Sequence, residues 1–374
     1  MNDREKEDRV KVIAFYLPQF HEFQENNKWW GKGFTEWTTV KNAKPLFEGH
    51  NQPRVPLNKN YYNLLDDEVA EWQASLAKQY GIYGFCYYHY WFDGKMLMEK
   101  PMEKMLNNKN ITLPFCICWA NENWTRTWAD KSKEILISQT YGNKEDWVNH
   151  YNYFSQFFLD NRYIKVEGKP ILVIYRPEII GPLREMLELW NEMAKKDGFP
   201  GICFMYQFKN YNHQKDKDGD LFDFGIEYQP VFSRWEYKKS FSFIIQFMVN
   251  NISDLLKIKS NRRNVICMDY DKEWKRVLKN KPRDEKMIPG AFTDWDNTPR
   301  HKNKGFIYLN ANPRKFELYF TEQLKRTEKI YKKDMIFIFA WNEWGEGGYL
   351  EPDECYKYGY LEAVKNALEK YKDN

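Results

Sequence analysis

Short apolar runs recur along the chain, and between them lie longer stretches in which apolar residues return every three or four positions. Eight runs read as strands: Val12–Tyr16, Tyr83–Tyr88, Phe115–Trp119, Ile171–Tyr175, Gly201–Tyr206, Phe224–Tyr228, Ile288–Thr293 and Met335–Trp341. Several are apolar on both faces, the mark of parallel strands covered by helices on one side and a core on the other. The intervening stretches predict helices over Asp66–Gln79, Lys144–Leu159, Pro182–Lys196, Phe316–Lys332 and Leu361–Tyr371. In the first of these Val69, Trp72, Leu76 and Ala77 share a face, and acidic residues occupy the first turn. Repeated strand–helix units imply a parallel sheet, and eight such units close a (β/α)8 barrel. A single barrel domain over residues 1–374 is therefore expected.

Two segments break the rhythm. Residues 17–65 form a long connection after the first strand, rich in Trp, Asn, Pro and Gly. Loops of that length in small domains are usually functional. Residues 232–286 carry FSFIIQFMV followed by the basic stretches KIKSNRR and KRVLKNKPR. This segment is expected to be a solvated helical insertion, with contact to an anionic or membrane surface as the alternative.

Composition sharpens the functional question in one respect. Aromatic residues make up 18% of the chain, with 15 Trp, 26 Tyr and 26 Phe. Indole and phenol rings offer flat apolar faces with a polar handle, which suits the faces of a sugar ring. Most of these rings must serve the core. The formal net charge of +4 is too balanced for nucleic acid, and no apolar run is long enough for an integral membrane segment. The N-terminal MNDREKEDRV lacks the apolar core of a secretory signal, so a cytoplasmic location is expected. Cys86, Cys116, Cys118, Cys203 and Cys267 fall in or beside apolar runs and Cys355 stands apart; no metal-ligand spacing emerges, and buried reduced thiols are expected. Neither a metal nor a cofactor is called for.

The sharpest chemical signal is MIFIFAWNEWGEGGYLEPD, residues 335–353. An apolar strand runs into Trp341, Asn342, Glu343, Trp344, Gly345 and Glu346, at the strand end where barrel enzymes place their chemistry. A helix-like turn brings positions i and i+3 to roughly 5–6 Å. Retaining glycosidases hold their two carboxyl groups roughly 5–5.5 Å apart. Glu343 and Glu346 are thus candidate reactive carboxylates. Acids at strand ends also cap helices or pair with arginine, but here they sit among tryptophans in a Gly-rich turn. Other strand ends reach the same mouth. The first supplies Tyr16, Gln19 and His21; the second His89 and Trp91; the third Trp119, Asn121, Glu122, Trp124 and Arg126; the fourth Tyr175; and the seventh Trp295, Asp296 and Asn297, followed by Arg300. With Trp37 from the long connection and Trp341, Asn342 and Trp344 from the last strand, they form a candidate pocket for an oligo- or polysaccharide.

These stretches resemble a known family. IAFYLPQFHEF, WWGKGFTEWTTV, GIYGFCYYHYWFDGK, PFCICWANENWTRTW, GKPILVIYRP, AFTDWDNTPR and AWNEWGEGGYLEPD look like the WbsX-like family, related to glycoside hydrolase family 99, over residues 12 to 353. The resemblance implies a (β/α)8 barrel and metal-independent, retaining action on α-linked mannosides. It implies that Glu346 is the general acid that later becomes the base. Glu343 would assist attack by the sugar's own 2-hydroxyl through an anhydro-sugar intermediate, and Glu122 would join the hydrogen bonds around that hydroxyl. WWGKGFTEW, HYWFDGK and WANENW depart from family 99 proper, which puts its mannosidase subsites in doubt here.

Members of the WbsX-like branch are also described as glycosyltransferases of lipopolysaccharide or capsule synthesis. Asp216, Asp218 and Asp220 have the alternating spacing that metal–diphosphate binding uses, but in a charged loop that reads as a solvated turn. No phosphate-cradling Gly-rich loop stands out. Three readings follow: a glycosidase or transglycosylase, a glycosyltransferase of surface polysaccharide, and a glycan-binding barrel without catalysis.

Overall fold

The computed structural model describes residues 9–126, 134–208, 219–233 and 265–372. Its centre is a ring of parallel strands: β1 (Lys11–Tyr16), β2 (Ile82–Phe92), β3 (Phe115–Trp119), β4 (Lys169–Ile174), β5 (Cys203–Phe208), β6 (Phe224–Glu227), β7 and β8 (Met335–Phe339). The seventh strand comes in two pieces, Met287–Ile288 and Gly290–Phe292, parted at Pro289, which has no N–H to give to a ladder. The first piece pairs with β6 through Gly225↔Met287, and the second pairs with β8 through Gly290↔Phe337. Between them every neighbour is consecutive, and β8 pairs with β1 through Lys11↔Met335, so the ring closes. This is the (β/α)8 barrel expected from the apolar runs.

Helices cover the outside. α1 (Gln24–Trp30) and α2 (Glu36–Asn42) belong to the long connection; α3 (Asp67–Gln79), α4 (Lys100–Asn107), α5 (Lys144–Phe158), α6 (Leu183–Lys196), α7 (Tyr270–Lys279), α8 (Pro313–Lys329) and α9 (Gly359–Lys370) follow. Their starts are legible chemistry. The Asn143 side chain accepts from the N–H groups of Glu145 and Asp146 ahead of α5, and Asn312 accepts from Lys315 N–H ahead of α8. α5 buries His150, Tyr151, Phe154, Phe157 and Phe158 against the barrel wall.

The segment expected as a solvated insertion differs where it is described. Ile266–Asp269 pairs in parallel with Phe306–Leu309, and α7 follows at once. Tyr270 and Trp274 are buried, and Trp274 stacks on Phe292 of β7 with ring centroids 5.1 Å apart. Residues from 270 to 279 therefore cover the barrel, because these aromatics outweigh the surrounding lysines. FSFIIQFMV and KIKSNRR lie outside the described residues, as do Asp216 and Asp218; Asp220 pairs with Arg184 at 2.8 Å. Cys86, Cys116, Cys118 and Cys203 are buried, Cys267 is partly so and Cys355 is exposed, all as free thiols. Among the described residues, no helix is long and apolar enough to cross a membrane.

The long connection folds back over the C-terminal mouth of the barrel. Its Trp37 packs against Phe20 at 4.6 Å and Trp344 at 5.4 Å, and its indole N–H donates to the Tyr62 carbonyl at 2.8 Å. That contact ties the covering segment to the turn that follows β8.

Candidate active site

Beyond β8 the chain makes a tight antiparallel ribbon in which Asn342 and Glu343 face Tyr349 and Gly348. Trp344–Glu346 forms one turn of 3-10 helix, and Gly347 takes the left-handed conformation with φ 69°. In a 3-10 turn positions i and i+3 eclipse, which brings Glu343 and Glu346 to the same side. The turn is held from every direction. Asp296 N–H donates to the Glu346 carbonyl at 2.7 Å, and Arg54 donates to the Gly347 carbonyl at 3.0 Å and to Asp294 at 2.7 Å. Trp344 stacks on Tyr349 at 3.8 Å and donates to Glu351 at 2.7 Å.

The two acids meet on one cation. Arg300, from the short helix Thr298–His301, donates through one terminal nitrogen to Glu343 and through the other to Glu346 at 3.0 Å. Its remaining edge holds a third carboxylate. Glu36, the first residue of α2, accepts from Nε at 2.9 Å and from the nitrogen shared with Glu343 at 2.8 Å. Glu36 is fully buried, the Glu343 side chain is 5% exposed and that of Glu346 is 21% exposed.

Three carboxylates on one guanidinium leave the cluster short of positive charge. Burial pushes the Glu343 carboxyl up to about 8; Arg300 opposes this, while Glu346 and Glu36 add to it. Burial also raises Glu36 above its ordinary range against the pull of Arg300. Arg300 stays cationic because Glu343, Glu36 and Glu346 more than offset the cost of its burial. Glu343 and Glu36 titrate together, so a proton belongs to that pair before it belongs to one member.

The acids open into a hollow of about 320 Å³ at the strand ends, bordered by Gln19, Trp30, Tyr88, Tyr90, Tyr175, Tyr228 and His301. Glu122, Asn123 and Trp124 border it from the end of β3, three strands round the ring from β8. Glu122 pairs with Arg176 at 2.6 Å, with the two side chains 40% and 35% exposed. Tyr90 meets the Trp124 ring edge-on at 5.3 Å. Paired carboxyls, aromatic faces and scattered polar groups can together bind a polyhydroxylated ring and move protons at it.

Of the residues proposed from sequence, Gln19, Glu122, Trp124, Tyr175, Glu343 and Glu346 line this hollow. The others fall elsewhere. Alternate residues of a strand face opposite ways. On β2 the inward residues are Tyr88 and Tyr90. His89 and Trp91 face the helices, where His89 meets His150 of α5 at 3.0 Å and Trp91 stacks on that imidazole at 4.4 Å. Trp119 packs against Trp190 of α6 at 5.9 Å, and Tyr16 donates to Gln73 of α3 at 2.6 Å. Asn121 and Asn342 are buried stitches: Asn121 exchanges hydrogen bonds with the Arg176 backbone, and Asn342 does so with Leu17. Trp341 lies under Phe85, Trp295 under Phe339, and Trp37 and Trp344 under each other. Asp296 accepts from Gln52 and Thr298 and pairs with His50, while Asn297 accepts from Phe306 N–H. Asp296 thus braces the acid turn through its N–H to the Glu346 carbonyl, and the Asn297 carbonyl holds the N–H groups of Arg300 and His301. His21 is buried beside Phe23 and borders a separate groove, and burial lowers its pKa to about 4. Arg126 ends a short strand, and its side chain lies outside the described residues.

The sequence reading missed Glu36 and Tyr228, and it gave no role to Arg300 or to Tyr88 and Tyr90 at the end of the second apolar run. The signal for the β2 tyrosines was available in the alternation of that strand. No local signal joins Glu36 to Arg300 across 264 positions.

Residues 12–364 match the family model described as Glycosyltransferase WbsX. The chain belongs to that family. Two curated relatives of this WbsX family member, each named "Uncharacterized protein WxcX", come from Xanthomonas campestris pv. campestris strains B100 and ATCC 33913. Each is 35% identical over 373 residues, covering 97% of this chain and 50% of the relative. The chain thus spans about half the length of the curated relatives it matches. Among solved structures, the GH99 endo-alpha-mannosidase from Bacteroides thetaiotaomicron superposes with a TM-score of 0.54 at 12% identity, covering 97% of both chains. A structure titled "Glycoside hydrolase-like protein" gives a TM-score of 0.54 at 12% identity, over 96% of this chain and 94% of that one. At such identity the likeness is one of fold, and it agrees with the barrel of this WbsX protein.

Proposed function

We propose that the protein is a carbohydrate-active enzyme, a retaining glycoside hydrolase or transglycosylase acting on α-linked glycans through Glu343 and Glu346. The observation that carries this reading is the convergence of both carboxyls on Arg300 at the floor of a ring-lined hollow. One acid must be protonated to release the leaving oxygen while the other acts as an anion. An excess of acids over cations keeps one proton in the cluster at neutral pH. In the assignment that the resemblance implies, Glu346 protonates the leaving oxygen and Glu343 draws the proton from the sugar's 2-hydroxyl. Glu122 and Asn123 hold hydroxyls from the end of β3, and the rings stack on the sugar.

The deep burial of Glu343 favours the reverse sharing of roles, with Glu343 as the acid. The leaving group separates the two. An aryl α-glycoside with a good leaving group needs no proton, so the variant lacking the acid keeps most of its rate on it. The variant lacking the base is slow on every substrate.

A glycosyltransferase using a nucleotide diphosphate needs cations free for the phosphates. Among the described residues, the charged side chains at the hollow are Glu122, Glu343, Glu346 and Arg300, with His301 beside them, and Arg300 is already engaged by carboxylates. That balance supports neutral glycans as substrates. The deciding assay incubates the protein with α-linked oligosaccharides, with and without an activated sugar donor. Cleavage or transfer between oligosaccharides is expected, and both Glu343→Gln and Glu346→Gln should lower kcat on natural linkages by about 10²–10⁴-fold with the near-UV spectrum unchanged. Transfer seen only with a nucleotide donor, or retention without turnover, would overturn the reading. For wild type, kcat/KM should fall as pH rises through about 8 where Glu343 is the acid, because its proton is then lost, and should rise through the same value where Glu343 is the base.

A further inference from the structure

Glu36 lies at the centre of the acid cluster but does not border the hollow. Its carboxylate is fully buried, and its Oε1 takes two N–H groups of Arg300, at 2.9 and 2.8 Å. The other oxygen has no hydrogen-bond partner among the described residues. The turn is shaped around this carboxylate: a Cβ built on Gly345, between the two reactive acids, would lie 1.9 Å from Glu36 Oε1 and 2.7 Å from Arg300 Nε. Gly345 has no positive φ, so a backbone constraint does not account for the glycine. The space it leaves is the space the Glu36–Arg300 contact fills. Glu36 is delivered by the long connection, whose backbone is fixed at that point by Glu36 N–H donating to the Gln19 carbonyl at 3.2 Å.

We propose that Glu36 is a positioning residue that acts through Arg300: it takes up part of the guanidinium's charge, so that Glu343 and Glu346 meet Arg300 with one proton left between them. The inference rests on the reading of Glu343 and Glu346 as the reacting pair. Its physical basis is charge balance. Were Glu36 neutral, Arg300 would face only the two reactive acids and draw both toward the anionic form, leaving no acid to protonate a leaving oxygen. With Glu36 anionic, three carboxylates share one positive charge, and the cluster keeps a proton. Among the described residues, the other groups facing it are His301, adjacent to Arg300 in sequence, and the hydroxyls of Tyr90, Tyr175 and Tyr228. Burial drives those three hydroxyls upward from their ordinary range, so they remain neutral through the pH range concerned.

The test needs no substrate. Protein labelled with 13C at the glutamate carboxyls is titrated by NMR, with the Glu343 and Glu36 signals assigned by their loss in Glu343→Gln and Glu36→Gln. In wild type, Glu36 should titrate below Glu343, and Glu343 should take up its proton near neutral pH or above. In Glu36→Gln the Glu343 midpoint should fall by about one pH unit or more, since a nearby unit charge in a poorly solvated site acts with at least that strength. Glu36→Asp, which restores the charge, should recover most of the shift. A Glu343 midpoint that stays or rises in a folded Glu36→Gln protein would overturn the proposal. If that variant does not fold, Glu36→Asp removes the same labelled glutamate signal and assigns it, and the wild-type titration decides: Glu36 holding its proton to higher pH than Glu343 would overturn the proposal. On whichever α-glycan is turned over, Glu36→Gln should move the limb of kcat/KM that Glu343 sets to lower pH, whereas a purely structural role lowers the rate without moving the limb. A carboxyl titration as expected in a protein that cleaves nothing would leave the charge balance standing and refute only the glycosidase reading.

Discussion

On one wall of the hollow, Glu343 and Glu346 leave a turn whose backbone is bonded to Asp296 and Arg54 and whose charges are bonded to Arg300. On the other, Glu122 leaves the end of β3 with Arg176 as its one ion-pair partner among the described residues, both side chains more than a third open to solvent. The same chemical group is thus presented in two ways. Behind the turn, neighbouring charges are neither hydrated nor screened, so each one changes what the others do with a proton. At the open wall water screens the ion pair, and Glu122 remains free to exchange Arg176 for a sugar hydroxyl. On the function proposed above, the closed wall is the one suited to transferring protons and the open wall the one suited to holding the sugar.

Breaking the closed wall at its cation should have the largest effect. Arg300→Leu leaves three buried or half-buried carboxyls without a counter-charge, and breaking a buried ion pair from one side costs about 3–5 kcal/mol. Urea unfolding at pH 7 should show that loss, together with abolished turnover. The pH dependence gives the sign. With Arg300 gone, Glu343 and Glu36 have folded pKa values still further above their unfolded ones. Their contribution is then fully favourable below the unfolded values and is lost as pH rises through the folded ones. The deficit relative to wild type should shrink toward pH 4 and reach its maximum above about pH 8, the wild-type Glu343 value. A deficit independent of pH would mean that Arg300 serves packing alone.

A subtler break leaves every charge in place. Gly345→Ala adds one methyl group where the nearest oxygen is 1.9 Å away, so Glu36 and Arg300 must shift and the reactive acids with them. Misplacement of a catalytic group by about 1 Å costs on the order of 10²-fold in rate. We expect kcat to fall by about that factor while KM, set largely by the open wall, changes little. A rise in KM with kcat preserved would place Gly345 in substrate binding instead.

The contrast between the walls also explains which parts of the site could be read from the chain. The barrel was legible because its strands are continuous apolar runs, and Glu343 and Glu346 were legible because a strand end, a Gly-rich turn and two acids three apart are all local. Along β2 the reading chose His89 and Trp91 for their chemistry and ignored the alternation that turns them toward α5. There His89 finds His150, and Trp91 donates to Asp146 at 3.0 Å. Polar groups satisfied inside the fold look, in sequence, like polar groups awaiting a ligand; Asn121, Asn342 and Asp296 are of this kind. Glu36 and Arg300 escaped for the opposite reason. Their meaning lies wholly in a contact between the long connection and the segment after β7, and nothing within a few residues of either announces it.

The smallest effect should come from the open wall. Glu122→Gln keeps the shape and removes the charge. An ion pair this exposed contributes about 0–1 kcal/mol, so the melting temperature should hardly move. Without the Glu122 charge Arg176 is left with Glu178, and a hydroxyl that Glu122 would accept from loses a bond worth roughly 1.5–3 kcal/mol to a charged group, of which the amide oxygen of Gln restores a part. A rise in KM of up to about tenfold with kcat within about twofold is the outcome that matches a holding role. The resemblance to family 99 instead places Glu122 beside the 2-hydroxyl that attacks the anomeric carbon, where its loss would weaken the transition state more than the ground state and so lower kcat. Steady-state kinetics on one α-linked substrate therefore decide whether the open wall only grips the sugar or also takes part in the step that the closed wall drives.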